Sequence, residues 1–98
     1  METLTFKYPA ASPKDGVRAH VGVVGSGDLE ILFEPCENDH SEVTVLTSVD
    51  GYGEVWKHVL ERFFARYTSA VRIEIHDFGA TPGVVLLRLE QAAEASRA

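Results

Sequence analysis

Val43-Thr44-Val45-Leu46-Thr47, then Trp56, Val59, Leu60, Phe63, Phe64 and Tyr67, then Val71-Arg72-Ile73-Glu74-Ile75-His76: residues 43–76 decide the fold. In the first segment Val43, Val45 and Thr47 form one row, the period of a half-buried strand. The middle segment repeats its apolar residues at helical spacing. Lys57, His58, Glu61, Arg62 and Arg66 fall largely on the rest of that helix surface. The last segment alternates most sharply, with Val71, Ile73 and Ile75 inward and Arg72, Glu74 and His76 outward. Strand, helix and strand in succession make a βαβ unit, so these two strands run parallel if they share a sheet. Asp50-Gly51 ends the first strand and offers a cap to the helix, while Glu54 and Arg66 complement its dipole.

Toward the N-terminus, residues 2–8 alternate with Leu4, Phe6 and Tyr8 on one side and Thr3, Thr5 and Lys7 on the other. A loop follows, with Pro9, Pro13 and the turn signal Lys14-Asp15-Gly16. Residues 18–24 read as a second strand with Ala19, Val21 and Val23 inward, and residues 29–34 as a third with Leu29, Ile31 and Phe33 inward. Gly25-Ser26-Gly27-Asp28 joins them as a hairpin turn. Residues 35–41 are a polar connection. Toward the C-terminus, Thr81 caps a helix from Pro82 to about Ser96, although the run from Val84 to Leu87 also suits a strand.

The sum is an α+β fold of order β-β-β-β-α-β-α. It is a two-layer α/β sandwich, a mixed sheet of about five strands with two helices on one face. The other face carries Thr5, Lys7, Arg18, His20, Glu30, Glu34, Arg72 and Glu74, with Leu32 and Leu46 adding apolar area. If the second, third and fourth strands pair as successive hairpins, Ser26 lies on the same sheet edge as Asp50-Gly51 and Asp77-Phe78-Gly79.

Ninety-eight residues make one domain, residues 1–98, with a single core. Nine basic and fifteen acidic residues give a net charge of −6, which repels nucleic acid and anionic membranes and favours a basic protein partner. One cysteine allows no internal disulfide, and no cysteine or histidine cluster suggests a metal site. No apolar run reaches membrane-spanning length and no signal segment follows Met1, so the expected location is cytoplasmic.

Ser26 has a glycine on each side, which leaves its hydroxyl unhindered and the backbone deformable. Three readings fit: a plain turn, a nucleophile, or a residue modified by another enzyme. A nucleophilic serine needs an oriented base. His20 and His76 fall on outward strand positions, His40 in a loop and His58 on the first helix, so none is forced near it. Nor is there a nucleophile elbow, because residues 24 and 28 are valine and aspartate and a strand follows. No catalytic residue is assigned. Cys36 reads as an incidental thiol, and Asp77-Phe78-Gly79 as a tight strand-to-helix connection, with the helix N-terminus at Thr81-Pro82 as an alternative place for a ligand's phosphate.

Several blocks in order carry a resemblance. They are Met1-Glu2-Thr3-Leu4-Thr5-Phe6, then Val21-Gly22-Val23-Val24-Gly25-Ser26-Gly27-Asp28-Leu29-Glu30, then Thr47-Ser48-Val49-Asp50-Gly51, then Asp77-Phe78-Gly79-Ala80-Thr81-Pro82-Gly83-Val84-Val85. Together they make the chain resemble the acyl carrier (delta) subunit of biotin-independent malonate decarboxylase. The resemblance implies that Ser26 carries a covalent 2'-(5''-phosphoribosyl)-3'-dephospho-CoA, with Gly25, Gly27 and Asp28 forming the attachment turn. It also implies acetyl and malonyl thioesters on the thiol of that group. The implied partners are the transferase and decarboxylase subunits, a prosthetic-group transferase and a malonyl-loading acyltransferase. By the same resemblance, the chain is a non-catalytic carrier. The nearest alternatives are a citrate lyase-type acyl carrier and a non-covalent interaction module.

Overall fold

Alternating apolar rows on five strands, and an apolar stripe on each of two helices, leave one way to keep these surfaces dry: sheet against helices. The computed structural model has that arrangement, and it describes residues 1–10, 22–36 and 39–96. The elements are β1 (Glu2–Pro9), β2 (Gly22–Ser26), β3 (Leu29–Pro35), β4 (His40–Thr47), α1 (Gly53–Phe64), β5 (Val71–Asp77) and α2 (Pro82–Ala95). The expected positions of Arg18, Ala19, His20 and Val21, and of the turn Lys14-Asp15-Gly16, lie outside the described residues.

The sheet order is β1-β4-β5-β3-β2. β4 and β5 are parallel, with Val43 opposite Ile73 and Val45 opposite Ile75, as the βαβ unit requires. All other neighbours are antiparallel. The sequence expectation of successive hairpins therefore fails between β3 and β4, because β5 inserts between them. Its Val71, Ile73 and Ile75 are almost fully buried and bond to a strand on each side. The orientation argument survives, since two antiparallel steps through β5 and β3 still leave β2 running with β4.

β2 differs from its expected facing. Val23 is 67 % exposed, whereas Val24, opposite Ile31, packs against the core. A one-residue shift exchanges the two faces of a strand, and a strand containing Gly22 and Gly25 has few side chains to hold its register.

The core joins Leu29, Ile31 and Phe33 to Val43, Val45, Ile73 and Ile75, beneath Trp56, Leu60 and Phe63 of α1 and Val85, Leu89 and Ala92 of α2. Phe33 meets Phe63 and Tyr67 edge-on, and Tyr8 stacks on Phe64 with ring centroids 4.7 Å apart. The cap expected from Asp50 is absent. Tyr52 occupies the N-cap of α1 without a side-chain hydrogen bond, while Asp50 lies 3.7 Å from the amino terminus. Arg66 lies beyond the C-cap, Ala65, so Arg62 is the basic residue of the last turn. α2 is helical throughout, which excludes the strand reading of its Val84-Leu87 run, and Thr81 caps it through Val84 N–H.

Candidate functional site

The three loops that follow β2, β4 and β5 meet on one rim of the sheet, where ligands of α/β sheets commonly bind. Ser26 is the last residue of β2, paired with Leu29 across a two-residue turn, Gly27-Asp28. Gly25, Gly27 and Asp28 are exposed. A Cβ added at either glycine would meet nothing within 4 Å, so another molecule has open access to the backbone on both sides of Ser26.

Backbone hydrogen bonds tie this turn to its neighbours. Phe78 N–H donates to Asp28 C=O at 2.9 Å, and Ser48 N–H donates to Asp77 C=O at 3.0 Å. The Gly27-Asp28 turn, the loop after β4 and the loop after β5 are thus one connected surface. Among the described residues, the glycines that adopt positive φ are in the other two loops, Gly51 at 86° and Gly79 at 116°.

Beneath the rim lies a polar pair that pattern reading missed. Asp77 is 4 % exposed and Thr47 is 1 % exposed. Thr47 Oγ1 donates to Asp77 Oδ2 at 2.8 Å and accepts from Val49 N–H at 3.0 Å. Asp77 Oδ1 accepts from Gly79 N–H at 3.2 Å and Ala80 N–H at 2.9 Å. This carboxylate shapes the loop after β5 from within, as an Asx-type turn. The only prior signal was an aspartate and a threonine on inward strand positions directly before glycine-containing loops.

Two concave surfaces flank the rim. One is a cleft of about 360 Å³ between the starts of α1 and α2, lined mainly by apolar side chains and floored by Thr47 and Asp77. The other is a shallow groove on the outer sheet face where Val23, Gly25 and Leu32 adjoin Glu30, Glu74 and His76. His76 sits 3.6 Å from Glu30 and 3.6 Å from Glu74.

Among the described residues, no histidine stands on β2 or in the turn beside Ser26. His40 begins β4, opposite Pro9 at the far end of the sheet. His58 is exposed on α1. His76 is on β5, separated from β2 by β3, and it is engaged with the two glutamates. His20 lies outside the described residues. Cys36 is half-buried, with its N–H donating to Ala70 C=O, far along the sheet from the rim. Among the described residues no group of three or more His, Cys, Asp or Glu side chains could hold a metal ion.

Three perturbed ionisable groups among the described residues lie away from the rim. A hydrogen bond to Asp39, then one to Glu42, raises the His40 pKa, and the same bond to His40 lowers that of Asp39. Burial, then the nearby Glu61 charge, raises the Tyr8 pKa.

Comparison with known proteins gives a consistent result. The family model described as Malonate decarboxylase delta subunit (MdcD) matches residues 17–96, which take in the serine turn and both neighbouring loops. The chain is 58% identical over 95 residues to the malonate decarboxylase acyl carrier protein of Pseudomonas syringae pv. tomato, covering 96% of this chain and 95% of that one. It is 56% identical over the same shares to the protein of that name from Azotobacter vinelandii. Among solved structures it is similar to a chain in the crystal structure of a Pseudomonas malonate decarboxylase hetero-tetramer in complex with malonate. The TM-score is 0.82 at 49% identity, covering 96% of this chain and 97% of that one.

Proposed function

The chain belongs to the malonate decarboxylase delta-subunit family, and from that premise we propose that it is the acyl carrier subunit of such a decarboxylase, with Ser26 as its attachment residue. The group so attached is 2'-(5''-phosphoribosyl)-3'-dephospho-CoA, joined through a phosphodiester; when bound it supplies the thiol that holds acetyl or malonyl as a thioester.

The observation that carries this reading is the open turn. Ser26 ends a strand beside two glycines whose surroundings are empty, and Phe78 N–H anchors the turn through Asp28. A modifying enzyme can close around such a backbone without first displacing side chains at the two glycines. The residues present therefore fit the group. The work of the chain is to hold Ser26 at a fixed rim and leave it accessible. A tethered cargo then reaches successive active sites at high effective concentration without dissociating.

On this reading the chemistry belongs to partners: the transferase and decarboxylase subunits, the prosthetic-group transferase and a malonyl-loading acyltransferase. The hetero-tetrameric assembly of the solved relative supports other subunits as partners. The net charge of −6 suits basic docking surfaces. A cytoplasmic location accords with the single cysteine, and no described helix is long and apolar enough to cross a membrane. The family match favours malonate over a citrate lyase-type carrier.

Intact-mass analysis tests the reading. Protein co-expressed with the prosthetic-group transferase and its precursor supply should carry one covalent adduct, absent in Ser26→Ala. No adduct on the wild-type chain would refute the carrier assignment, and an adduct persisting in Ser26→Ala would refute the site.

A further inference from the structure

We propose that the cleft between α1 and α2 shelters the uncharged acyl end of the arm tethered at Ser26 and excludes its malonyl form. The inference rests on the attachment reading above and adds a binding site within the carrier itself. Val49, Val55, Trp56, Val59, Pro82 and Val85 form the apolar walls around about 360 Å³. That volume is at the lower end for small-molecule sites and suits a short thioester with its adjoining chain.

Position and chemistry both select this occupant. The serine turn is one hydrogen bond from the cleft: Phe78 N–H holds Asp28 C=O, and the next two residues, Gly79 and Ala80, are cleft wall. An arm leaving Ser26 thus starts beside the opening. Among the described residues no lysine, arginine or histidine lines the cleft, and Asp77 is the one carboxylate. Both Asp77 oxygens are already committed, to Thr47 Oγ1 and to the Gly79 and Ala80 amides. A malonyl carboxylate reaching the cleft floor would lose water beside the Asp77 carboxylate and meet no cationic side chain among the described lining residues, which disfavours it relative to an uncharged acyl group. An acetyl thioester carries no such charge and gains by burying its methyl group. The cleft therefore holds the acetyl form between reactions, and malonylation releases the arm toward the partner subunits.

Trp56 is the single tryptophan of the chain and lines the cleft, so its fluorescence reports occupancy. The experiment uses the full chain as apo, acetyl-loaded and malonyl-loaded protein, with each adduct verified by mass. Trp56 emission should differ from the apo protein in the acetyl form and match it in the malonyl form. Hydroxylamine should cleave the acetyl thioester roughly fourfold more slowly than in cleft-blocked protein, the factor expected from sheltering one methyl-sized group. Ala80→Leu, which fills the cleft, and Val55→Asp, which charges its wall, should each abolish both effects while the adduct mass is unchanged. The proposal fails if mass-verified acetyl protein has apo-like Trp56 emission and unprotected thioester. It also fails if acetyl and malonyl forms alter Trp56 alike. Absence of any adduct on the wild-type chain would instead refute the carrier assignment itself.

Discussion

At the residue scale, Thr47 shows how a buried hydroxyl sets up an exposed rim. Its donation to Asp77 Oδ2 at 2.8 Å and its acceptance from Val49 N–H at 3.0 Å join the ends of β4 and β5. Thr47→Val keeps the shape but strands a buried carboxylate oxygen and a backbone amide. We expect a loss of about 2 kcal/mol of stability, read by urea denaturation. His40 gives a pH-dependent case. Its pKa is raised by Asp39 and Glu42 from the usual 6.5, so its stabilisation is fully present below that value and lost as pH rises through the folded pKa. The Asp39 pKa is lowered from 3.8, so its share is present above that value and lost as pH falls through the folded one. The pair therefore stabilises most between the two. His40→Asn should lower the melting temperature at about pH 5.5, and the difference from wild type should shrink as pH rises through the raised folded-state pKa. Gly27-Asp28 was legible as a turn because glycine and aspartate mark turns by conformation alone, whereas Gly25 and Ser26, expected in that turn, are the last two residues of β2. Thr47 and Asp77 were not legible as a pair, because two residues thirty positions apart give no local sign that they touch.

At the element scale, local pattern placed all seven elements, and it failed where local information is thin. The alternation of β5 survives intact, with Val71, Ile73 and Ile75 buried. β2 slipped by one residue because Gly22 and Gly25 leave valines adjacent at 23 and 24, and either can face inward. Its contact with Ile31 made the choice. For α2, four apolar residues in a row fit a strand or a helix equally. Thr81 and Pro82 decide it, one as a cap and the other as a first-turn residue whose missing N–H costs nothing there. Thr81→Ala should destabilise the chain by about 1 kcal/mol through loss of the bond from Val84 N–H, measured as a shift in the denaturation midpoint without a change in slope.

At the scale of the whole molecule, the core is organised around the strand that the chain adds late. β5 enters between β4 and β3 and brings the ends of β4, β5 and β2 to one rim. Phe33 is fully buried, facing Phe63 and Tyr67. Phe33→Ala removes packing between β3 and α1 together with core volume, and should cost about 3–5 kcal/mol in calorimetric or urea unfolding. The sequence by itself determined the number and kind of elements, the parallel βαβ pair, the glycine-flanked serine and, through ordered blocks of residues, the family resemblance. These depend on periods of two and 3.6 residues and on turn chemistry, all written within a few positions. Only the tertiary structure decided that β5 separates β3 from β4, that Val24 rather than Val23 faces inward, and that Thr47 and Asp77 floor a cleft beside the serine turn. Those features arise when distant segments compete for the same neighbours, and burial across the whole sheet settles that competition.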